Sequence, residues 1–193
     1  MIPSDYGLAA FLLAAASLIK SDVTLTGHFN KNLVQADGAI LGFLRKMGVK
    51  FKQTRSAISV KGPYVLKGGE FSLRNCPDLV AIMAVLALFA RGKTCLKDIH
   101  HARAKESDRI SDLRKELLKV GAQVKEGRGD LTIYPKDKYN ANVVLNPHQD
   151  HRLAMAFAVL GLRLGVAVKD IECTRKSYPG FVRDFKKLGA RIF

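Results

Sequence analysis

Residues 78–90 read DLVAIMAVLALFA, an aspartate followed by an unbroken apolar run. Residues 5–19, DYGLAAFLLAAASLI, and residues 150–164, DHRLAMAFAVLGLRL, repeat this arrangement with few polar interruptions. The three aspartates are 73 and 72 residues apart. A run that is apolar on nearly every side predicts a helix buried on all faces, so we expect three central helices with sheets outside them.

The chain after each apolar run also repeats. A strand-like stretch comes first, then an amphipathic helix that ends in a hydrophobic residue and glycine, at Met47-Gly48, Val120-Gly121 and Leu188-Gly189. Further strands are expected in the first two units only, at residues 49–53, 57–61, 65–72, 123–126, 131–134 and 142–145.

This periodicity predicts a pseudo-threefold α/β fold, because one such unit cannot bury its own apolar face. We expect a single domain over residues 1–193, with repeats at about 1–74, 75–146 and 147–193. The third repeat has a strand at residues 166–171 and a helix after it, but it lacks the closing strands. We therefore expect the chain to be part of a larger protein.

The formal net charge of +15 predicts an anionic partner. The basic residues form no continuous block and no aromatic RNA-binding pattern, which favours small phosphorylated substrates over nucleic acid. The three cysteines and five histidines have no metal-ligand spacing, and no phosphate-binding glycine loop is present, so we expect no metal and no cofactor. An odd cysteine count favours a reduced, cytoplasmic setting.

A membrane location is not expected either. The first apolar run, residues 8–19, is far shorter than the roughly 20 residues needed to cross a bilayer. No basic residue precedes it, as one would in a secretion signal.

Charged residues gather at the helix starts of the second and third units. If each helix–strand–helix path returns the chain in parallel, up to six helix N-termini meet on one face, where free N–H groups favour anions. Cations at a helix start oppose the helix dipole, and a bound anion would reverse that penalty. The charged starts are residues 75–78, 103–109, 148–152 and 175–179.

The residues at these starts also have structural interpretations, which the pattern leaves open. Asp78 and Asp150 could be ordinary helix caps, and either Asp108 or Ser107 could cap the helix that follows them. Glu106 could be a solvated carboxylate that complements the dipole. The four cations could be surface charges: Lys105, Arg109, Arg152 and Lys176.

At these same positions the sequence resembles the EPSP synthase (3-phosphoshikimate 1-carboxyvinyltransferase) family, in family order over essentially the whole chain. The specific strings are KESDR at residues 105–109 and DHRLAM at residues 150–155. The first string separates this family from the related UDP-N-acetylglucosamine enolpyruvyl transferases. Further matches are SDY at 4–6, PD at 77–78 and KSYPGF at 176–181.

The resemblance implies an inside-out α/β barrel of three βαβαββ units with central apolar helices. It also implies a second, similar N-terminal domain, absent from residues 1–193, that faces this one across a cleft. Family members fold an N-terminal strand segment back into this domain, which fits the unfinished third repeat. The chain is expected to be the C-terminal domain of such an enzyme and nearly inactive alone.

The resemblance implies catalytic roles for three residues in moving the enolpyruvyl group of phosphoenolpyruvate to the 5-hydroxyl of shikimate 3-phosphate, with release of phosphate. Asp78 is expected to take the hydroxyl proton, and Glu106 to protonate the methylene carbon of phosphoenolpyruvate. Lys176 is expected to hold the departing phosphate.

Substrate-binding roles are implied in the same way. Arg109 and Arg152 are expected to clamp the phosphoenolpyruvate carboxylate, for which bidentate guanidinium geometry is well suited. Lys105 is expected on the shikimate side, and His151 is expected to orient the acid. His101 occupies the position of a shikimate-contacting Asn in some members.

Two other functions remain alternatives to the transferase. A basic RNA-binding or RNA-processing module could use a related fold, since fold does not fix function. A structural half-domain would bind nothing by itself. The family resemblance favours neither, and it implies no nucleic-acid or membrane partner.

Overall fold

The three apolar runs all form helices in the computed structural model, which describes residues 2–29 and 35–192. Within these residues the α-helices are Tyr6–Leu18 (α1), Ala39–Lys46 (α2), Val80–Leu88 (α3), Arg109–Lys119 (α4), His151–Leu164 (α5) and Phe181–Lys187 (α6). Short 3₁₀ helices span Ala36–Gly38, Pro77–Leu79, His100–Ala104 and Ile171–Lys176.

Helices α1, α3 and α5 pack against one another at the centre of the molecule. Helix α3 is buried along its whole length because none of its residues carries a polar side chain. Each buried Leu, Ile, Val or Met side chain stabilises the fold by about 1.5–3 kcal/mol. The prediction of buried helices at the three runs is confirmed. Helices α2 and α4 bury only one face, as their amphipathic sequences predict.

The strands of the described residues form four separate sheets, and no closed barrel is present among them. Their bounds are Ser21–Thr26 (β1), Phe51–Gln53 (β2), Ala57–Gly62 (β3), Leu66–Lys67 (β4), Glu70–Ser72 (β5), Ala90–Arg91 (β6), Thr94–Lys97 (β7), Gln123–Glu126 (β8), Leu131–Tyr134 (β9), Val144–Leu145 (β10) and Ala167–Val168 (β11).

One of the two larger sheets lies within the first predicted repeat, and the other joins β5 of the first repeat to three strands of the second. One is antiparallel with the order β1-β3-β2, and Ser21 lies opposite Gly62 in its register. The other has the order β5-β7-β9-β8, in which only β5 and β7 are parallel. Two short parallel pairs, β4 with β6 and β10 with β11, complete the set.

Two strand predictions differ from the structure. The strand predicted at residues 65–72 is divided into β4 and β5, which belong to different sheets. Gly68 lies between these two strands, and a Cβ atom on it would lie only 2.3 Å from the carbonyl oxygen of Gly92. The strand predicted at residues 166–171 is reduced to β11, because Asp170 adopts a left-handed conformation (φ 44°) and a 3₁₀ helix begins at Ile171.

Other sequence expectations agree with the structure. The three cysteines are free thiols. None of the helices in the described ranges is long and apolar enough to cross a membrane. Residues 188–192, which follow α6, contain no strand.

The close approach at Gly68 gives a stability prediction. The Gly68→Ala variant should lower the free energy of unfolding by about 1–3 kcal/mol, because its methyl group would overlap backbone carbonyls that cannot rotate away. The matched control is Gly42→Ala on the exposed face of α2, where no atom lies within 4 Å. This control should raise stability by about 0.5–1 kcal/mol. Urea unfolding measures both, and an unchanged midpoint for Gly68→Ala would contradict the close approach.

Candidate active site

Aspartate side chains cap three of the helix starts. Asp5, Asp108 and Asp150 accept backbone amide hydrogen bonds of 3.0, 3.1 and 2.7 Å at the first turns of α1, α4 and α5. The cap interpretation is confirmed for Asp108 and Asp150. It is wrong for Asp78, which lies within a 3₁₀ turn and makes no side-chain cap bond.

The carboxylate of Asp78 contacts cations instead. It lies 3.0 Å from Arg109, 3.2 Å from Arg152 and 3.5 Å from Lys105. Burial alone would raise the pKa of Asp78, but the Arg152 and Arg109 guanidinium groups outweigh it and the pKa falls below its ordinary value. Asp78 is therefore ionised at neutral pH and joins the starts of three helices.

Arg109 lies at the centre of this arrangement and has no exposed side-chain surface. Its Nε and Nη2 groups donate to the two oxygens of Asp150 at 2.8 and 3.3 Å, and Nη2 also donates to Glu106 at 3.0 Å. Nη1 donates to Asp78 at 3.0 Å and to the Pro77 carbonyl at 3.4 Å. The five N–H groups of the guanidinium thus all have partners within the protein.

Arg152 differs from Arg109 in having unused donors. Its side chain is 10% exposed, and its Nη2 lies 3.2 Å from Asp78. Its Nε and Nη1 are buried and have no hydrogen-bond partner among the described residues. Because buried donors in folded proteins are nearly always paired, these two unpaired donors of Arg152 indicate a place for an anion.

Glu106 lies on the other side of Arg109, next to two further predicted residues. Its Oε1 lies 3.4 Å from Lys176 Nζ and 3.7 Å from His151 Nδ1. Burial favours a raised pKa, but the backbone amide of Glu106 and the charge of Arg109 outweigh it, so the pKa lies below its ordinary value. Burial and the neighbouring Arg152 lower the pKa of His151, which favours the neutral imidazole.

Lys105 and Asp78 share a cavity of about 380 Å³ with residues from the first repeat. The cavity contains three carboxylates, which can accept hydrogen bonds from a hydroxylated ligand. Its lining residues are Asp5, Gln35, Ala36, Asp37, Asn75, Pro77, Asp78 and Lys105.

His101 is the predicted site residue that lies apart from the other seven. Its ring packs edge-on against His100, with centroids 5.2 Å apart, and its Nε2 is buried without a partner. Within the described ranges no hydrogen bond or ion pair joins it to the other seven. The structure thus brings together Asp78, Lys105, Glu106, Arg109, His151, Arg152 and Lys176.

Sequence reasoning missed two residues that shape this cluster. Burial raises the pKa of Asp37, and Arg152 offsets that effect only in part. A Cβ atom on Gly7 would lie 2.4 Å from Asp37 and 3.0 Å from Arg152 Nη1, so a side chain there would fill the space beside the free donors. The signal was present, since Asp37 opens the second helix of its repeat, but no matching motif pointed to it.

A metal site was not expected, yet three potential ligands lie close together. Ligand atoms of Glu106, Asp150 and His151 are all within 4.8 Å of one another. Both carboxylates already bind the guanidinium of Arg109. The positive charge that these carboxylates require is therefore supplied by an arginine.

A separate cavity, of about 720 Å³, shares no lining residue with this cluster. Arg103 forms its base and joins Asp108 to Glu126 at 2.9 and 2.8 Å. Arg114, Lys125 and Arg128 also line it. The bonds of Arg103 tie the loop before α4 to the β8–β9 hairpin, and thereby support the position of Glu106.

The chain resembles one family of known proteins. A family model described as EPSP synthase (3-phosphoshikimate 1-carboxyvinyltransferase) matches residues 1–185. The 3-phosphoshikimate 1-carboxyvinyltransferase of Methanococcus vannielii is 37% identical over 99% of this chain, and that of Nitrosopumilus maritimus is 36% identical over 99%. The matches cover 44% and 45% of those two proteins, so the chain spans slightly less than half the length of these relatives.

Two solved structures of enolpyruvyl transferases also superpose on this chain. An EPSP synthase from Acinetobacter baumannii superposes with a TM-score of 0.82 and 25% identity, over 98% of this chain and 46% of its own. The enolpyruvyl transferase NikO from Streptomyces tendae superposes with a TM-score of 0.78 over 98% of this chain and 44% of its own. At 18% identity, this second match concerns the mixed α/β fold alone.

The buried Arg109–Asp150 pair predicts a strong effect on stability. Asp150→Asn should lower the free energy of unfolding by about 3–5 kcal/mol, because it leaves the enclosed guanidinium short of one counter-charge. The control Asp22→Asn removes an exposed ion pair to Lys61 and should cost less than about 1 kcal/mol. Thermal or urea unfolding compares them, and equal losses would contradict the central position of Arg109.

The lowered pKa values of Asp78 and Glu106 predict a pH dependence. Their ordinary values are 3.8 and 4.5, and the folded-state values are lower, so the unfolded chain binds more protons in the acidic range. Their stabilisation is fully present above the ordinary values and is lost as pH falls through the folded-state values. Urea unfolding at several pH values should show this loss of stability. In Glu106→Gln the free energy of unfolding should depend less on pH. An identical pH profile for Glu106→Gln would contradict the pKa shift of Glu106.

Proposed function

The chain belongs to the EPSP synthase (3-phosphoshikimate 1-carboxyvinyltransferase) family, and on that premise we propose that it forms one half of an enolpyruvyl transferase active site. The reaction moves the enolpyruvyl group of phosphoenolpyruvate to the 5-hydroxyl of shikimate 3-phosphate and releases phosphate. The observation that carries the proposal is the buried, partly unpaired guanidinium of Arg152 beside Asp78 and close to the Glu106 cluster.

Arg152 is the first contact for phosphoenolpyruvate in this proposal. Its Nε and Nη1 are unpaired donors on two different edges of the guanidinium, and each can donate a hydrogen bond to an oxygen of an anionic ligand. Lys176 is 63% exposed and lies 3.4 Å from Glu106, so it can reach the phosphate end of the same ligand. The phosphate then leaves next to a cation that neutralises its charge.

In this proposal Arg109 binds the carboxylate of phosphoenolpyruvate only after Glu106 has lost its negative charge. While Glu106 is ionised, it holds an N–H of Arg109 Nη2 at 3.0 Å. A neutral Glu106 attracts the guanidinium less strongly, and that N–H becomes available to the incoming carboxylate. Both arginines then face the ligand.

Proton transfer follows from the positions of the two carboxyl groups. Glu106 donates its proton to the methylene carbon of phosphoenolpyruvate, and C2 becomes electrophilic. The 5-hydroxyl oxygen attacks C2 and loses its proton to Asp78, which gives a tetrahedral intermediate. Glu106 then removes a proton from the new methyl group, and the bond from C2 to the phosphate oxygen breaks with its electron pair on that oxygen. The departing phosphate takes up the proton held by Asp78, and the enolpyruvyl ether remains.

Glu106 must gain a proton before it can act as this acid, because its pKa is lowered in the present arrangement. Two anionic substrates would compensate the nearby cations, and closure of the cleft would remove water. Both changes raise the pKa of a carboxyl group. His151, whose Nδ1 has no hydrogen bond, is placed to orient Glu106.

On the shikimate side we assign the cavity formed by Lys105, Asp78 and the first repeat. In this proposal Lys105 contacts shikimate 3-phosphate, and Asp78 accepts hydrogen bonds from its hydroxyl groups. His101 would reach the same ligand only from its separate position beside His100.

The proposal includes a second domain and a more specific fold. We assign three repeats, at about 1–74, 75–146 and 147–193, to an inside-out α/β barrel around the central helices. A similar N-terminal domain would face the cluster and supply the rest of both substrate sites. The relatives' greater length supports this, since the chain spans 44–45% of them. Alone, the chain should have almost no turnover.

Binding of phosphoenolpyruvate tests the role of Arg152 directly. In ¹⁵N NMR titrations, phosphoenolpyruvate should shift signals of Arg152 and its neighbours, and Arg152→Gln should weaken binding at least about tenfold. The matched control Arg114→Gln removes the same charge in the other cavity and should change little. Equal weakening by both variants would mean that general charge attraction, rather than a site, binds the ligand. An RNA oligomer as titrant tests the alternative function.

Turnover tests the acid. With the N-terminal domain of the enzyme supplied, Glu106→Gln should lower kcat by about two orders of magnitude or more, because the amide cannot deliver a proton. The exposed Glu172→Gln is the matched control and should keep full activity. Near-normal turnover of Glu106→Gln would rule out this residue as the acid.

A further inference from the structure

A second buried carboxylate lies outside the proposed reaction. The side chain of Glu116, in the middle of α4, has no exposed surface. It accepts hydrogen bonds from Lys119 Nζ at 2.6 Å, from the Asn146 amide at 2.8 Å and pairs with His148 Nε2 at 3.1 Å. Two of these three partners belong to the loop that leads into α5.

That loop has an unfavourable backbone conformation. His148 and Gln149 adopt φ values of 52° and 60°, in the left-handed region that non-glycine residues rarely occupy. Two such residues in succession persist only where surrounding contacts hold them. The contacts present are those of Glu116, a 2.9 Å bond from the His148 amide to the Asn146 side chain, and a 2.9 Å bond from the Asp150 amide to Pro147.

Helix α4 therefore holds this loop at two points. Arg109, in its first turn, binds Asp150, and Glu116 binds Asn146 and His148. The two residues are seven positions apart, which is close to two helical turns, so both project from the same face of α4. One rigid helix thus fixes both the loop and the aspartate that follows it.

We propose that Glu116 and His148 are positioning residues that hold the loop 146–149 so that Asp150 caps α5 and Arg152 faces the ligand. Asp150 accepts hydrogen bonds from the amides of Arg152 and Leu153 at 2.7 and 3.3 Å, which links the loop to the start of α5. The effect on ligand binding rests on the proposed function, whereas the effect on the loop does not.

The charges around His148 agree with this role. Besides Glu116, its ring faces Asp112 of α4, with Nδ1 3.6 Å from the carboxylate. The imidazole therefore lies between two carboxylates of one helix face. His148 is only partly buried, so it can be replaced without opening the core.

Amide hydrogen exchange of the 193-residue chain tests the proposal. Glu116→Gln and His148→Asn should each speed exchange at Arg152 and Leu153 by about tenfold or more, since each weakens charge-assisted bonds that hold the loop. The matched control is Lys119→Gln, which removes the third partner of Glu116 but makes no contact with the loop. It should leave exchange at Arg152 and Leu153 unchanged.

A rescue variant separates positioning from general stability. Gln149 is exposed, and glycine adopts its left-handed conformation without strain. Adding Gln149→Gly to Glu116→Gln should therefore restore most of the lost protection. Equal acceleration in the buried helix α3 would indicate global destabilisation and overturn the proposal, as would unchanged exchange in folded Glu116→Gln. If Glu116→Gln does not fold, the exchange rates of Arg152 and Leu153 in His148→Asn test the proposal in the same way.

A phosphoenolpyruvate titration of the same variants then tests the consequence for binding. Affinity should fall about tenfold in Glu116→Gln and in His148→Asn, and stay unchanged in Lys119→Gln. If the unmodified chain binds no phosphoenolpyruvate, the proposed function fails for this chain alone, while the exchange data still decide the positioning role. Normal affinity in a variant with a loosened loop would contradict the link between the loop and Arg152.

Discussion

The guanidinium of Arg109 is completely enclosed and binds three carboxylates, of which Asp78 and Asp150 come from distant parts of the chain and Glu106 from three residues away. An enclosed cation without partners would cost several kcal/mol. Asp78, Glu106 and Asp150 precede or open α3, α4 and α5, so one planar group with fixed donor directions joins the starts of three helices. These helix starts cannot shift independently, because each shift would leave a buried charge unpaired.

The two arginines of the cluster differ in their hydrogen bonding, and this difference distinguishes a structural arginine from one with donors left for a ligand. Arg109 has a partner for every N–H group, whereas Arg152 has two buried nitrogens without one. A backbone amide and the charge of Arg109 hold the pKa of Glu106 below its ordinary value despite its partial burial. In the proposed reaction a bound anion completes the hydrogen bonds of Arg152 and compensates the charges around Glu106. Substrate binding and protonation of the acid are thus coupled through electrostatics.

The large positive charge of the chain is located outside this cluster. Five carboxylates, of Asp5, Asp37, Asp78, Glu106 and Asp150, lie near four cations, Lys105, Arg109, Arg152 and Lys176. The net charge of +15 therefore belongs to the remaining surface. Such a field attracts anions toward the molecule. Composition predicts the sign of a partner's charge, while the place proposed for its binding rests on the unpaired donors of Arg152.

The sequence by itself determined the three buried helices, the caps at Asp108 and Asp150, and the set of charged helix starts, because these depend on local periodicity and on contacts within one turn. The tertiary structure alone decided that Asp78 binds cations instead of capping and that Glu116 binds Asn146 and His148 of the loop before α5. Arg109 and its partners Asp78 and Asp150 are 31 and 41 residues apart. Which arginine is saturated and which is free depends on distances and donor directions across such separations, and a local pattern contains neither.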